Sequence, residues 1–124
     1  MSAKHKIAIF ASGYGSNFEA IATAAFAGVI PADVTLLVCD KPEARVVELA
    51  QRMGVPAFVF SAKDYASKAD YEREIVSRLR AAEVELICLA GYMKIVGEEL
   101  LSAYEGHIIN IHPSLIPSFC GDGF

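Results

Sequence analysis

No two cysteines in this chain stand at C-x-x-C spacing, and none of Cys39, Cys88 and Cys120 has a histidine at a zinc-finger interval. The three read as reduced thiols, with neither a disulfide framework nor a structural metal expected. Long apolar runs are missing as well. Nothing is long enough to span a bilayer, and the apolar stretch in MSAKHKIAIFASG is too short for the core of a signal peptide, so a cytoplasmic location is expected. Positive charge is scarce: eleven Lys and Arg against fifteen Asp and Glu leave a net charge of -4 with no basic patch. That balance argues against a nucleic-acid or anionic-membrane partner. Repeats, low-complexity tracts and linkers are absent too. What the chain does have is 54% hydrophobic residues in 124 positions, enough for one domain with a core and too short for a second.

Apolar runs alternate with amphipathic stretches. Ile7 to Ala11, Val34 to Cys39, Ala57 to Phe60, Glu85 to Ala90 and Ile108 to Ile111 read as strands. Most are apolar at successive positions, as expected of parallel strands covered by helices on both faces. Asn17 to Ala27 reads as a helix burying Phe18, Ile21, Ala22, Ala25 and Phe26, closed by Gly28. A second helix is expected from Pro42 to about Met53, with Val46, Val47, Leu49 and Ala50 inward and Gly54 after it. Ser67 is placed to cap a third, carrying Ile75, Val76 and Leu79, and a short fourth covers about Glu98 to Tyr104. The fold class expected is therefore α/β, a doubly wound, mainly parallel, Rossmann-like sheet. Ligands of such sheets sit beyond the carboxyl ends of the strands, which directs attention to the loops there.

The first such loop is ASGYGSN. Gly13 and Gly15 permit positive φ and close backbone approach, while Ser16 and Asn17 add side-chain donors beside the free N–H groups of a helix start. This is the composition of a phosphate cradle, and equally that of a tight strand-to-helix turn. A dinucleotide fingerprint would need glycine where Phe18 stands, although Asp40 could serve as the ribose-binding acid. In the second loop, AGYMKIVG, the residues Met93, Ile95 and Val96 read either as packing beneath the next helix or as walls of a slot for a flat aromatic ligand.

The third stretch is IINIHPSLIPSF. Alternate side chains of a strand share a face, so Asn110 and His112 should point the same way. An amide NH2 and an imidazole side by side can donate two hydrogen bonds to one oxygen, as a tetrahedral oxyanion requires. A histidine titrating near neutrality can be protonated when that charge builds up. Taken alone, the pair reads equally as a hydrogen-bonded strand end. His5 and His107 have no comparable company and read as solvated surface.

Together, SGYGSN, AGYMKIV and NIHPSLIPSF resemble the phosphoribosylglycinamide formyltransferases, folate-dependent enzymes of purine synthesis, over essentially the whole chain. The resemblance implies a formyltransferase fold in one domain, residues 1–124, whose small-molecule substrates are phosphoribosylglycinamide and formyl folate. It implies that Gly15, Ser16 and Asn17 hold the substrate phosphate, and that Met93, Lys94, Ile95 and Val96 border the pterin of 10-formyltetrahydrofolate, the co-substrate. Asn110 and His112 would be catalytic, with Asn110 also touching the folate and no metal involved. Lys68 stands where the family tends to place an arginine for the folate tail, which keeps the charge and loses the bidentate fork. Chains of the family continue past this point and supply a catalytic Asp, a role that Asp122 cannot take from its position. A chain truncated at Phe124 and barely active by itself is the corresponding expectation.

Three other functions remain in view. Other folate-dependent formyltransferases and the formyltetrahydrofolate deformylases share the core chemistry. A dinucleotide-binding oxidoreductase would use Gly13, Gly15 and Asp40. A non-catalytic binding module would keep the pockets without turnover.

Overall fold

A computed structural model of the chain describes residues 4–111. The elements run β1 (His5–Ala11), α1 (Ser16–Phe26), β2 (Ala32–Cys39), α2 (Arg45–Met53), β3 (Ala57–Val59), a 3₁₀ turn (Ala62–Asp64), α3 (Lys68–Ala81), β4 (Leu86–Leu89), α4 (Glu98–Ala103) and β5 (Ile108–Asn110). All four strand pairings are parallel, in the order β3-β2-β1-β4-β5. The order reverses direction at β1, so β1 and β4 flank the switch point, where strand ends part and leave a crevice.

Two separate cores explain the run-on apolar strands. Ile7, Ile9 and Ala11 of β1 pack with Phe18, Ile21 and Ala25 of α1 and with Val46, Leu49 and Ala50 of α2. The intervening Ala8 and Phe10 face the other way, onto Tyr71, Ile75 and Leu79 of α3 and Leu100 of α4. Alternating side chains of each strand thus enter opposite cores, and both must be apolar. The register of β1 on β2 shifts between Ile7 and Ala8, which pair with Val34 and Leu36. Thr35 is the extra residue, and its hydroxyl donates to the Ile7 carbonyl at 3.1 Å. This bulge keeps Val34 in the same core as Leu37, where strict alternation would have turned it over.

The strands and helices lie where the patterning places them, with several differences. The second helix starts at Arg45, not Pro42, because Ala44 is still extended at ψ 145° and the intervening residues form a turn. Phe26 is 57% exposed, one position past the buried stripe of α1, and does not join the core. The 3₁₀ turn has no counterpart in the apolar pattern. Strand β5 is half-covered only, with Ile109 and Asn110 exposed, as befits an edge strand. Ser67 caps α3 as expected, its hydroxyl oxygen accepting from the Asp70 N–H at 3.2 Å. Among the described residues no helix is long and apolar enough to cross a membrane.

Candidate active site

The glycine turn after β1 is held from one side by α2. Gly15 has φ +86° and precedes the first residue of α1, and a Cβ there would lie 2.7 Å from Val46 Cγ2. The Val46 N–H donates to the Gly13 carbonyl at 3.0 Å. Glycine at 15 therefore meets two demands at once, a left-handed backbone and contact with a neighbouring helix. Among the described residues no side chain caps α1, whose N-cap is Gly15. The N–H groups of its first turn, including those of Ser16 and Asn17, have no intrahelical acceptor and face a position suited to an anion.

From the other side the turn is tied to the loop after β4. Ser12, 3% exposed, donates its hydroxyl proton to Asp40 Oδ1 at 2.5 Å and accepts from the Met93 N–H at 2.8 Å. Lys94 Nζ lies 3.8 Å from Asp40 Oδ2. Asp40 directly follows β2, so the three loops that leave β1, β2 and β4 meet at one buried carboxylate. Buried and engaged by Ser12 and Lys94, it leaves little surface for a ribose hydroxyl, which counts against the oxidoreductase reading.

Tyr92 packs edge-on against Phe10, ring centroids 5.1 Å apart, and Val96 rests partly buried on the α3 side. Met93 and Ile95 are 74% and 81% exposed. For these two, packing beneath the next helix is excluded. They form an exposed apolar rim on the loop that leaves β4, while the ammonium of Lys94 turns inward to Asp40. Lys68, at the start of α3, donates to the Ile95 carbonyl. Four residues on, Glu72 is 1% exposed and accepts from the Gly97 N–H at 2.7 Å and the Leu100 N–H at 3.3 Å, capping α4 from a different helix. Gly97 has no room for a side chain there, since a Cβ would come within 2.8 Å of Glu72 Oε1.

Asn110 ends β5 and pairs with Leu89, which in turn pairs with Phe10. At the usual inter-strand spacing this places Asn110 about 10 Å from β1, on the same carboxyl edge as the glycine turn. Its side chain is exposed. His112, with residues 113–124, lies outside the described residues. His5 and His107 sit at the opposite, amino edge, both exposed, His5 against Glu85 at 3.0 Å and His107 on the Glu105 carbonyl at 2.9 Å.

Gly15, Ser16, Asn17, Lys68, Met93, Lys94, Ile95, Val96 and Asn110 are thus gathered on one edge of the sheet. Sequence reading passed over Ser12, Asp40 as a structural acid, and Glu72. For Glu72 a signal existed: it falls three and seven residues before Ile75 and Leu79, on the apolar stripe of α3, where an unpartnered charge has no place. Nothing local marks Ser12.

The chain matches a model of the formyl transferase family over residues 5–123. It is 55% identical to the phosphoribosylglycinamide formyltransferase of Bacillus subtilis, over 94% of this chain and 60% of that protein. Among solved structures, glycinamide ribonucleotide transformylase 1 from Geobacillus kaustophilus matches at 57% identity and a TM-score of 0.87, over 96% of this chain and 63% of its own. Phosphoribosylglycinamide formyltransferase from Streptococcus pneumoniae follows at 50% identity and a TM-score of 0.79, over 88% and 57%. The chain spans about three-fifths of the length of these relatives. A glycine turn, an apolar-rimmed loop and a strand-end Asn on one sheet edge accompany this likeness in sequence and shape, and the chain belongs to the formyl transferase family.

Proposed function

We infer that residues 1–124 form a single substrate-binding domain of a phosphoribosylglycinamide formyltransferase, moving a formyl group from 10-formyltetrahydrofolate to the amine of 5-phosphoribosylglycinamide. The observation that carries this is the common carboxyl edge shared by the uncapped α1, the rim of Met93 and Ile95, and Asn110. Gly15, Ser16 and Asn17 receive the phosphate at the start of α1. Met93, Lys94, Ile95 and Val96 border the pterin, with the exposed Met93 and Ile95 supplying apolar contact. Lys68 keeps two of its three N–H donors for the folate tail while the third holds the Ile95 carbonyl. A reducing, cytoplasmic setting suits the free buried thiols of Cys39 and Cys88.

In the reaction, the substrate amine attacks the formyl carbon and forms a C–N bond, and the carbonyl oxygen takes the displaced electron pair. The Asn110 amide and the protonated His112 donate to that oxyanion. Collapse restores the carbonyl and breaks the bond to the folate nitrogen, which receives a proton as the new amide nitrogen loses one. Donors aimed at the oxyanion, not at the ground-state carbonyl, accelerate the step.

The test is a formyl-transfer assay on a chain extended to the relatives' length, with His112→Asn and Asn110→Ala beside it. Each variant should lose about 10²-fold or more in kcat. Wild-type chain without transfer to phosphoribosylglycinamide, or variants with undiminished kcat, would refute the assignment.

A further inference from the structure

One buried hydroxyl joins the two loops assigned to the two substrates. A serine hydroxyl has a single proton and two lone pairs. That of Ser12 gives the proton to Asp40 Oδ1 and takes the Met93 N–H on a lone pair. Ser12 immediately precedes Gly13, whose carbonyl is held by Val46, and Met93 opens the apolar rim. The far end of that rim has its own tethers, Lys68 on the Ile95 carbonyl and Glu72 on the Gly97 N–H. Ser12 is the near tether, and at 3% exposure it has little water to replace it.

We propose that Ser12, oriented by Asp40, is a positioning residue that sets the spacing between the phosphate-holding turn and the folate-bordering loop. This rests on the assignment of those loops given above. Transfer needs the amine and the formyl carbon about 3–3.5 Å apart, and a displacement near 1 Å can cost about 10²-fold in rate. Loss of the hydroxyl leaves the Met93 N–H and Asp40 Oδ1 unpartnered together, and the near end of the loop then rests on the longer Lys94–Asp40 contact and the packing of Tyr92 on Phe10. Each substrate keeps its own contacts, so the penalty falls on kcat and not on either KM.

The experiment measures transfer kinetics and amide hydrogen exchange at Met93 in Ser12→Ala and Asp40→Asn, again in a chain of the relatives' length. Ser12→Ala should lower kcat by about tenfold or more, with each KM within about threefold, and speed Met93 exchange. Asp40→Asn retains an acceptor oxygen for the Ser12 proton, so Met93 exchange should stay slow and the fall in kcat should be smaller. Undiminished kcat in Ser12→Ala, a loss confined to KM, or equal Met93 exchange in the two variants would overturn the proposal. Should Ser12→Ala not fold, Asp40→Ala removes the acceptor that orients the hydroxyl, and its kcat should fall in the same way; wild-type kcat there is equally fatal. A wild-type protein inactive on phosphoribosylglycinamide refutes the functional assignment instead, while the Met93 exchange contrast still decides whether the tether exists.

Discussion

Gly15 shows how much a single residue can be asked to do. Its φ of +86° disfavours any side chain, and the missing Cβ leaves the space filled by Val46 and Leu49 of α2. Gly15→Ala should therefore destabilise by about 2–4 kcal/mol, combining left-handed backbone cost with overpacking. Urea denaturation of Gly15→Ala, Val46→Ala and the double variant separates the two effects. The double variant should lose less than the sum of the singles, because Val46→Ala removes the colliding methyls. Strict additivity would mean that contact with α2 plays no part. The composition of the turn was readable from Gly13, Gly15, Ser16 and Asn17, since backbone freedom and helix-start donors are local properties. The contact with Val46 was not, because it joins residues about thirty apart through the packing of two helices.

At the scale of elements, α4 is the instructive case. Six residues make a helix too short to persist unaided, and its own N-cap, Gly97, has no side chain to offer. Glu72 supplies the missing acceptor from α3, taking the Gly97 and Leu100 N–H groups on separate oxygens. Glu72→Ala would leave a buried and a partly buried donor without this partner and should cost about 2–3 kcal/mol, seen as a lower urea midpoint with faster exchange at Gly97 and Leu100. An unchanged midpoint would show that the carboxylate contributes no net stability. Helix α2 illustrates the reverse. Proline at 42 suits a first turn, yet the Val46 N–H is drawn to the Gly13 carbonyl, and helical geometry begins only at Arg45. A local preference yielded to a bond with another loop.

For the whole molecule, the parallel order around β1 determines both stability and the location of the site. β1 and its neighbours supply residues to both cores, so Cys39 on β2 and Cys88 on β4 are sealed inside. Burial pushes the Cys88 thiol up from 9.0 to about 11 and that of Cys39 upward too. A raised folded-state value means the folded chain retains a proton that the unfolded chain gives up. The associated stability is full below about 9 and is lost as pH rises through about 11. Urea midpoints should fall across that window. Maleimide labelling mapped to peptides should reach Cys39 and Cys88 only at the rate of global unfolding; rapid modification of either in native buffer would contradict a closed core.

The sequence by itself determined the elements and their chemistry: apolar runs long enough for strands, the Ser67 cap, the glycine turn, and an Asn delivered to a strand end. Those follow from interactions within a few residues of chain, where periodicity and backbone preference act. Only the tertiary structure decided what joins them. The bulge at Thr35, the cap from Glu72 and the knot of Ser12, Asp40 and Met93 link residues 25 or more apart, up to 81. Such pairings depend on strand order and register, and these are set by how two whole cores close around one sheet.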